Sequence, residues 1–370
     1  KGVGVNPLRG QNNVQGAADM GCQPHQGAGY FEVSDKKNQN FYTEKYGVVH
    51  PTKAGLKIPQ MFDAAINKEV KAVWIIGEDI VQTDPNSAHV VDAMNSLELL
   101  VVQEIFMSET AKLATVVLPG TTFLEKDGTF TNTERRIQRV NKAVPPLPGT
   151  KPDGVIVTDM MQKLGFDQPT YDADQVLAEI ADVVPFFKGV TRERLGKFGL
   201  QWPVQEDGTD TQILHKETFK LGKGRLKSFD FKESTEIETN QKDYPLILTT
   251  SRVLQHYNAA TMTRRTSNIN IVSEDVLLIH PKDAKKRDLN TGDIGRLYSG
   301  RGEVALKVEV TDKVKEGIVF TTFHFPEHMV NMVTGHGKDE ETKCAEYKVS
   351  SVEVQKISNQ FKTDHYKEEN

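Results

Sequence analysis

Arg9 stands in a run of amides and glycines, Gly4-Val5-Asn6-Pro7-Leu8-Arg9-Gly10-Gln11-Asn12-Asn13-Val14-Gln15-Gly16. The run has almost nothing to bury, which predicts a loop whose backbone and amides face a polar ligand. A guanidinium grips a carboxylate through a fixed fork of donors, so the chemistry on offer at Arg9 is bidentate anion binding. Composition alone fits an ordinary surface loop equally well.

A second group sits where apolar runs end. Ala72-Val73-Trp74-Ile75-Ile76 gives way to Gly77-Glu78-Asp79, with Thr83 and Asp84 behind, and Leu99-Leu100-Val101-Val102 gives way to Gln103-Glu104-Ile105-Phe106. A carboxylate at a strand end can accept hydrogen bonds from ribose hydroxyls, or from the N1–H and amino group of a guanine. Gln103 suits the same task. No Gly-x-Gly-x-x-Gly run is present, which argues against a free NAD site. Asp153, in Lys151-Pro152-Asp153-Gly154, offers another carboxylate but fits a Pro-Asp-Gly turn equally well. Arg252, His256 and Asn258 lie close together in Thr250-Ser251-Arg252-Val253-Leu254-Gln255-His256-Tyr257-Asn258, where an arginine suits a pyrophosphate. Phe323-His324-Phe325-Pro326 with Asn331, then Tyr347-Lys348, form the last cluster. Arg135 and Arg136 read as ion-pair partners.

The elements that must carry these residues follow from periodicity. From about Val33 to Asp159 short apolar runs alternate with helical stretches such as Met61–Ile66 and Val90–Met94. Runs at 72–76, 99–103 and 115–118 suit strands buried on both faces. The pattern predicts an open, mostly parallel α/β sheet with ligands beyond its C-terminal strand ends. Residues 161–243 mix a helical patch with the polar stretch Lys220-Leu221-Gly222-Lys223-Gly224-Arg225 and read as a connecting region. From Tyr244 to Ile357 short β-rich runs separated by Gly, Asp and Asn turns predict a closed barrel. His280-Pro281 should open a short helix. The expected organisation is an α/β domain over 1–160, the connecting region 161–243, a barrel domain over 244–357 and a tail, 358–370.

Composition narrows the class. The 370 residues carry a net charge of −5, with no basic excess that would suit nucleic acid or an anionic membrane surface. The longest apolar runs are too short to span a bilayer. Cys22 and Cys344, the two cysteines, cannot form a four-thiolate cluster or a disulfide framework, and suggest a reducing, cytoplasmic setting.

Taken together, the Arg9 run, Gly77-Glu78-Asp79 and its Gln82-Thr83-Asp84-Pro85 sequel, the stretch from Asp127 to Gln138 and the Arg252–Asn258 segment resemble the molybdenum or tungsten formate dehydrogenases of the molybdopterin oxidoreductase family. The resemblance runs from Gly2 to about Ile357. It implies that the barrel is a six-stranded double-psi barrel. It implies that Arg9 orients formate and that Gln11 lies against the pterin. Gly77, Glu78, Asp79, Thr83, Gln103 and Asp153 would contact a guanine dinucleotide tail. Arg252, His256, Asn258, Asn331, Tyr347 and Lys348 would contact a pterin dinucleotide. The implied cofactor is bis(molybdopterin guanine dinucleotide) carrying Mo or W, and the reaction takes formate to CO2, two electrons and a proton. Iron–sulfur or flavin subunits would receive the electrons. No residue of this chain is expected to ligate the metal. The family's iron–sulfur cysteines, metal-ligating Cys or selenocysteine and general acid/base histidine are expected upstream of Lys1, in another part of the same subunit. Two other readings stand beside this one: another molybdopterin oxidoreductase, or a non-catalytic scaffold subunit of an electron-transfer complex. The chain departs from the family pattern at 337–348, which lacks two prolines, and at Ala18, where a cysteine is common.

Overall fold

The computed structural model describes residues 5–219 and 221–357. Gly4 of the Arg9 run, Lys220 of the lysine-rich stretch and the expected tail, 358–370, lie outside the described residues. The chain folds into two compact units that interleave along the sequence. One takes residues up to Lys57 together with Pro119–Ser228, and the other takes Ile58–Leu118 together with residues from Phe229 onward.

The second unit combines a small α/β sheet with a barrel. The sheet strands are β1 (Ala72–Ile76), β2 (Leu99–Glu104) and β3 (Val116–Pro119), in that order. β1 and β2 are parallel, with Ile76 opposite Gln103. Helices Ile58–Ile66 and Ser87–Asn95 cover the sheet, because their apolar residues recur at helical spacing and bury Phe62, Ala65, Val90, Ala93 and Met94 against Leu100 and Val102. β1 stops at Gly77, whose φ of 66° is left-handed, a conformation glycine adopts without steric cost.

The barrel strands are β4 (Leu246–Ser251), β5 (Val276–Ile279), β6 (Ile294–Tyr298), β7 (Glu303–Val310), β8 (Ile318–Thr322) and β9 (Ser350–Ile357). They close in the order β5-β7-β6-β9-β4-β8. The β5–β7 and β4–β8 pairs are parallel and the others antiparallel. The expected sheet and closed six-stranded barrel are both present. Alternate residues point inward, so Leu248, Leu277, Ile279, Leu297, Leu306, Val319 and Val352 form the core. Burying each such side chain contributes about 1.5–3 kcal/mol. The helix expected after His280 runs Pro281–Lys286, with His280 as its cap.

The first unit centres on an antiparallel hairpin, Gly128–Thr131 against Arg136–Val140, extended by Leu200–Gln201. Helices Asp153–Lys163 and Ala173–Val183 belong to it, the latter capped by the Asp172 carboxylate. Leu177, Val184, Phe187, Val190, Leu195 and Val204 pack with Ile137 into a core of their own. The front part of the stretch read as connecting is therefore built around buried apolar side chains. Its polar appearance comes from one-sided burial.

Candidate functional site

The expected site residues fall in both units. In the first unit, Arg9 and Gln11 are exposed on the coil that precedes the helix Val14–Asp19. The far end of that loop is clamped. Asn13 Oδ1 accepts from the Thr131 N–H at 2.9 Å. A Cβ on Gly16 would lie 2.3 Å from Asn13 Oδ1, so only glycine permits this close approach. Asp153 is the first residue of its helix and is ion-paired with Lys126 beside a pocket of about 250 Å3 that Tyr171 also lines. Asn132 and Arg135 keep to structural work. Asn132 Oδ1 accepts from the Glu134 and Arg136 amides, while Arg135 donates to the Thr211 and Trp202 carbonyls. Arg136 pairs with Glu134 at 2.7 Å, the ion pair expected of this stretch.

In the second unit, the strand ends gather carboxyl groups. Glu78 Oε1 accepts from the Thr83 hydroxyl at 3.1 Å. Desolvation by the surrounding protein pushes the Glu78 pKa up, and the Asp79 charge adds to this against the Thr83 hydrogen bond. Burial, then the Glu78 charge, pushes Asp84 up to about 7. Glu104, on β2, is raised first by burial and then by the Asp79 and Glu78 charges, against its backbone hydrogen bonds. Desolvation raises Tyr347 as well, and the Asp84 and Glu78 charges add to this. A groove of about 530 Å3 alongside is lined by Phe62, Asp84, His89, His336, Cys344 and Tyr347.

Two cations, Arg252 and Lys348, stand in the barrel part of the same unit. The Arg252 guanidinium stacks 4.7 Å above the Phe323 ring and donates to Asn258 Oδ1 at 2.8 Å. Stacked arginine is weakly hydrated and keeps its in-plane donors for an anion. Lys348 donates to the Thr250 carbonyl, and burial followed by the Arg252 charge lowers its pKa.

Other expected contacts are spent inside the protein. Asp79 is buried, and its carboxylate accepts from Thr110 N–H at 2.9 Å, Thr110 Oγ1 at 2.7 Å and Glu109 N–H at 3.3 Å. Both ring nitrogens of His256 are engaged, Nδ1 with Thr263 Oγ1 at 3.1 Å and Nε2 with the Val272 carbonyl at 2.8 Å. Asn331 Nδ2 donates to the Gln82 carbonyl at 2.8 Å and the Thr83 carbonyl at 3.2 Å, holding the turn that carries Thr83. The backbone carbonyl of Gln103, a buried residue at the end of β2, accepts from the Gly77 N–H at 2.9 Å, a bond that does not engage its side-chain amide.

Sequence reasoning placed His324 in the last cluster without assigning it a role, and did not single out Asp275. His324 Nδ1 donates to the Asn258 carbonyl at 2.6 Å, and Nε2 accepts from the Val253 N–H at 3.1 Å. That pattern fixes a neutral tautomer, and burial depresses the pKa further. Asp275 accepts from the His324 and Phe325 amides at 3.1 Å each. Together they set the loop that presents Arg252 and Asn258. The one signal that could have pointed to Asp275 was an acid directly before an apolar run.

Acids at the α/β strand ends, with a stacked arginine and a lysine in the barrel part of the same unit, have the chemistry to hold a dinucleotide. Comparison with known proteins agrees. The family model described as Molybdopterin oxidoreductase matches residues 2–163, and that described as Molydopterin dinucleotide binding domain matches residues 246–351. The chain belongs to the molybdopterin oxidoreductases and carries their pterin-dinucleotide-binding domain. It is 43% identical over 361 residues to the F420-dependent formate dehydrogenase subunit alpha of Methanocaldococcus jannaschii. It is 42% identical over 364 residues to the F420-dependent formate dehydrogenase 1 subunit alpha of Methanococcus maripaludis. Each match covers 96% of this chain and 53% of the relative, so the chain spans about half the length of these curated relatives. The probable oxidoreductase YjgC of Bacillus subtilis is 36% identical, with 96% of this chain and 36% of that protein covered. Among solved structures, acetylene hydratase from Pelobacter acetylenicus superposes with a TM-score of 0.63 at 19% identity, covering 85% of this chain and 49% of that one, which shows the shared fold. Among the described residues no helix is long and apolar enough to cross a membrane.

Proposed function

We propose that the chain is the C-terminal part of a formate dehydrogenase catalytic subunit, binding bis(molybdopterin guanine dinucleotide) with Mo or W for formate/CO2 interconversion. The observation that carries the reading is the 42–43% identity to formate dehydrogenase alpha subunits over 96% of the chain. The donor set supports it. Glu78 and Asp84 are suited to the N1–H and amino group of a guanine or to ribose hydroxyls. Arg252 and Lys348 are suited to a pyrophosphate. Asp79, His256 and Asn331 hold the frame in which those groups stand. The bound cofactor supplies a centre able to accept two electrons. Arg9 does the rest of the work assigned to this chain: its fork holds the formate carboxylate and aims the C–H bond. The relatives' F420 dependence supports electron transfer onward through partner subunits to that acceptor.

The test is Arg9→Lys in the full-length subunit with its cofactor. Lysine keeps the charge and loses the bidentate geometry. A misplacement near 1 Å costs on the order of 100-fold in rate, so formate oxidation should fall by about that factor with metal content unchanged. Wild-type turnover would overturn the assignment.

A further inference from the structure

Beside the Arg9 loop in sequence lies a buried acid, Asp19, that the proposed chemistry leaves unassigned. Asp19, fully buried, ends the helix Val14–Asp19 that begins where the loop stops. Its Oδ1 accepts from Gln15 Nε2 at 2.8 Å and from the Tyr30 hydroxyl at 2.7 Å, and its Oδ2 accepts from Trp202 Nε1 at 2.9 Å. Gln15 Nε2 also donates to the Tyr30 oxygen at 2.9 Å, closing a triangle.

The indole and amide nitrogens can only donate. With the Tyr30 hydroxyl they favour the carboxylate over the acid, against burial, which pushes the Asp19 pKa up. A buried charge needs compensation. Burial remains the largest influence on the Asp19 carboxyl; the three donors, and after them the Arg9 charge, act against it. The backbone is bent to complete the socket. Tyr30 sits at φ 61°, directly after Gly29 at φ 76°, a conformation rare for a bulky residue. Trp202 arrives from a distant segment and packs 4.6 Å from Phe186, which also stacks on Tyr30. Three segments thus converge on one carboxylate, at the end of the helix that anchors the Arg9 loop.

We infer that Asp19 is a positioning residue for Arg9: its socket fixes the helix that terminates the loop, and its buried charge sets the field in which the guanidinium holds an anion. This rests on the reading of Arg9 as the formate-orienting residue.

In the holoenzyme, Asp19→Asn removes the charge at nearly constant shape. With pterin and metal content per chain unchanged, kcat should fall by about tenfold as the arginine loses its aim. The inhibition constant of nitrate, a planar monovalent probe, should tighten by about threefold or more, because the opposing charge is gone. A purely structural role would lower folded, metal-loaded protein without shifting nitrate affinity. Tyr30→Phe, which keeps the carboxylate and removes one donor, should lower kcat in the same direction and decides the matter if Asp19→Asn fails to load cofactor. Wild-type kcat and nitrate inhibition in Asp19→Asn, or wild-type kcat in Tyr30→Phe where Asp19→Asn cannot be loaded, would overturn the inference. The Arg9→Lys enzyme separates the two readings. If it is crippled while Asp19→Asn is normal, only this inference fails. If it turns over normally, the formate reading fails first.

Discussion

At the residue scale, Asp84 shows how the fold stores a pH response. Its carboxyl is raised to about 7 by burial and by the neighbouring Glu78 charge. In the unfolded chain an aspartate titrates near pH 4. Between those values the folded state holds a proton that the unfolded state has released, so stability falls as pH rises from about 4 to about 7. Below that window both states are protonated and the group contributes in full. Asp84→Asn mimics the protonated form at every pH. The variant should match wild type in urea midpoint at pH 4 and exceed it at pH 8. Parallel curves for the two proteins across this range would show that Asp84 titrates normally.

At the element scale, what was legible in the sequence depended on how each element is buried. Ala72–Ile76 and Leu99–Glu104 announced themselves as apolar runs because strands in a covered sheet need apolar residues on both faces. The hairpin Gly128–Thr131 and Arg136–Val140 gave no such signal, since Ile137 alone is buried on its second strand. Ser350–Ile357 was likewise hidden, because its buried Ser350 and Ser351 are polar and only Val352 and Val354 mark the inward face. The site followed the same rule. Residue types at strand ends were readable, but which carboxylate faces outward was not, because Asp79 finds its partners some thirty residues away at Glu109 and Thr110. Those bonds tie the helix Ile80–Thr83 to the helix Glu109–Lys112. Asp79→Ala should therefore cost about 1–3 kcal/mol by leaving buried donors unsatisfied. Glu78→Ala should leave the urea midpoint near wild type and act on cofactor content instead. Equal, small stability losses in the two variants would remove Asp79 from this structural role.

At the scale of the whole molecule, the interleaving of the two units has a consequence for how the chain comes apart. The stretch before Thr235 carries no helix or strand from 221 to 233 among the described residues, and it exposes Phe229 and Phe231 at 91% each. Phe62 and Phe323 are instead packed inside the second unit. Exposed backbone outside hydrogen-bonded elements is where proteases cut first. Brief chymotrypsin treatment should cleave at Phe229 or Phe231 before those buried sites. The cut separates Ile58–Leu118 from the barrel in sequence, yet both belong to one compact unit. Contacts inside the second unit bind these pieces: Gln82 Nε2 donates to the Ala259 and Phe323 carbonyls at 3.1 Å each, and Asn331 reaches back to Gln82 and Thr83. Met329 packs on the sheet's apolar cluster. The nicked protein should therefore run as one species by size-exclusion chromatography and as two bands only after denaturation. Fragments that separate without denaturant would show that the α/β sheet and the barrel are held together by chain continuity rather than by these buried contacts.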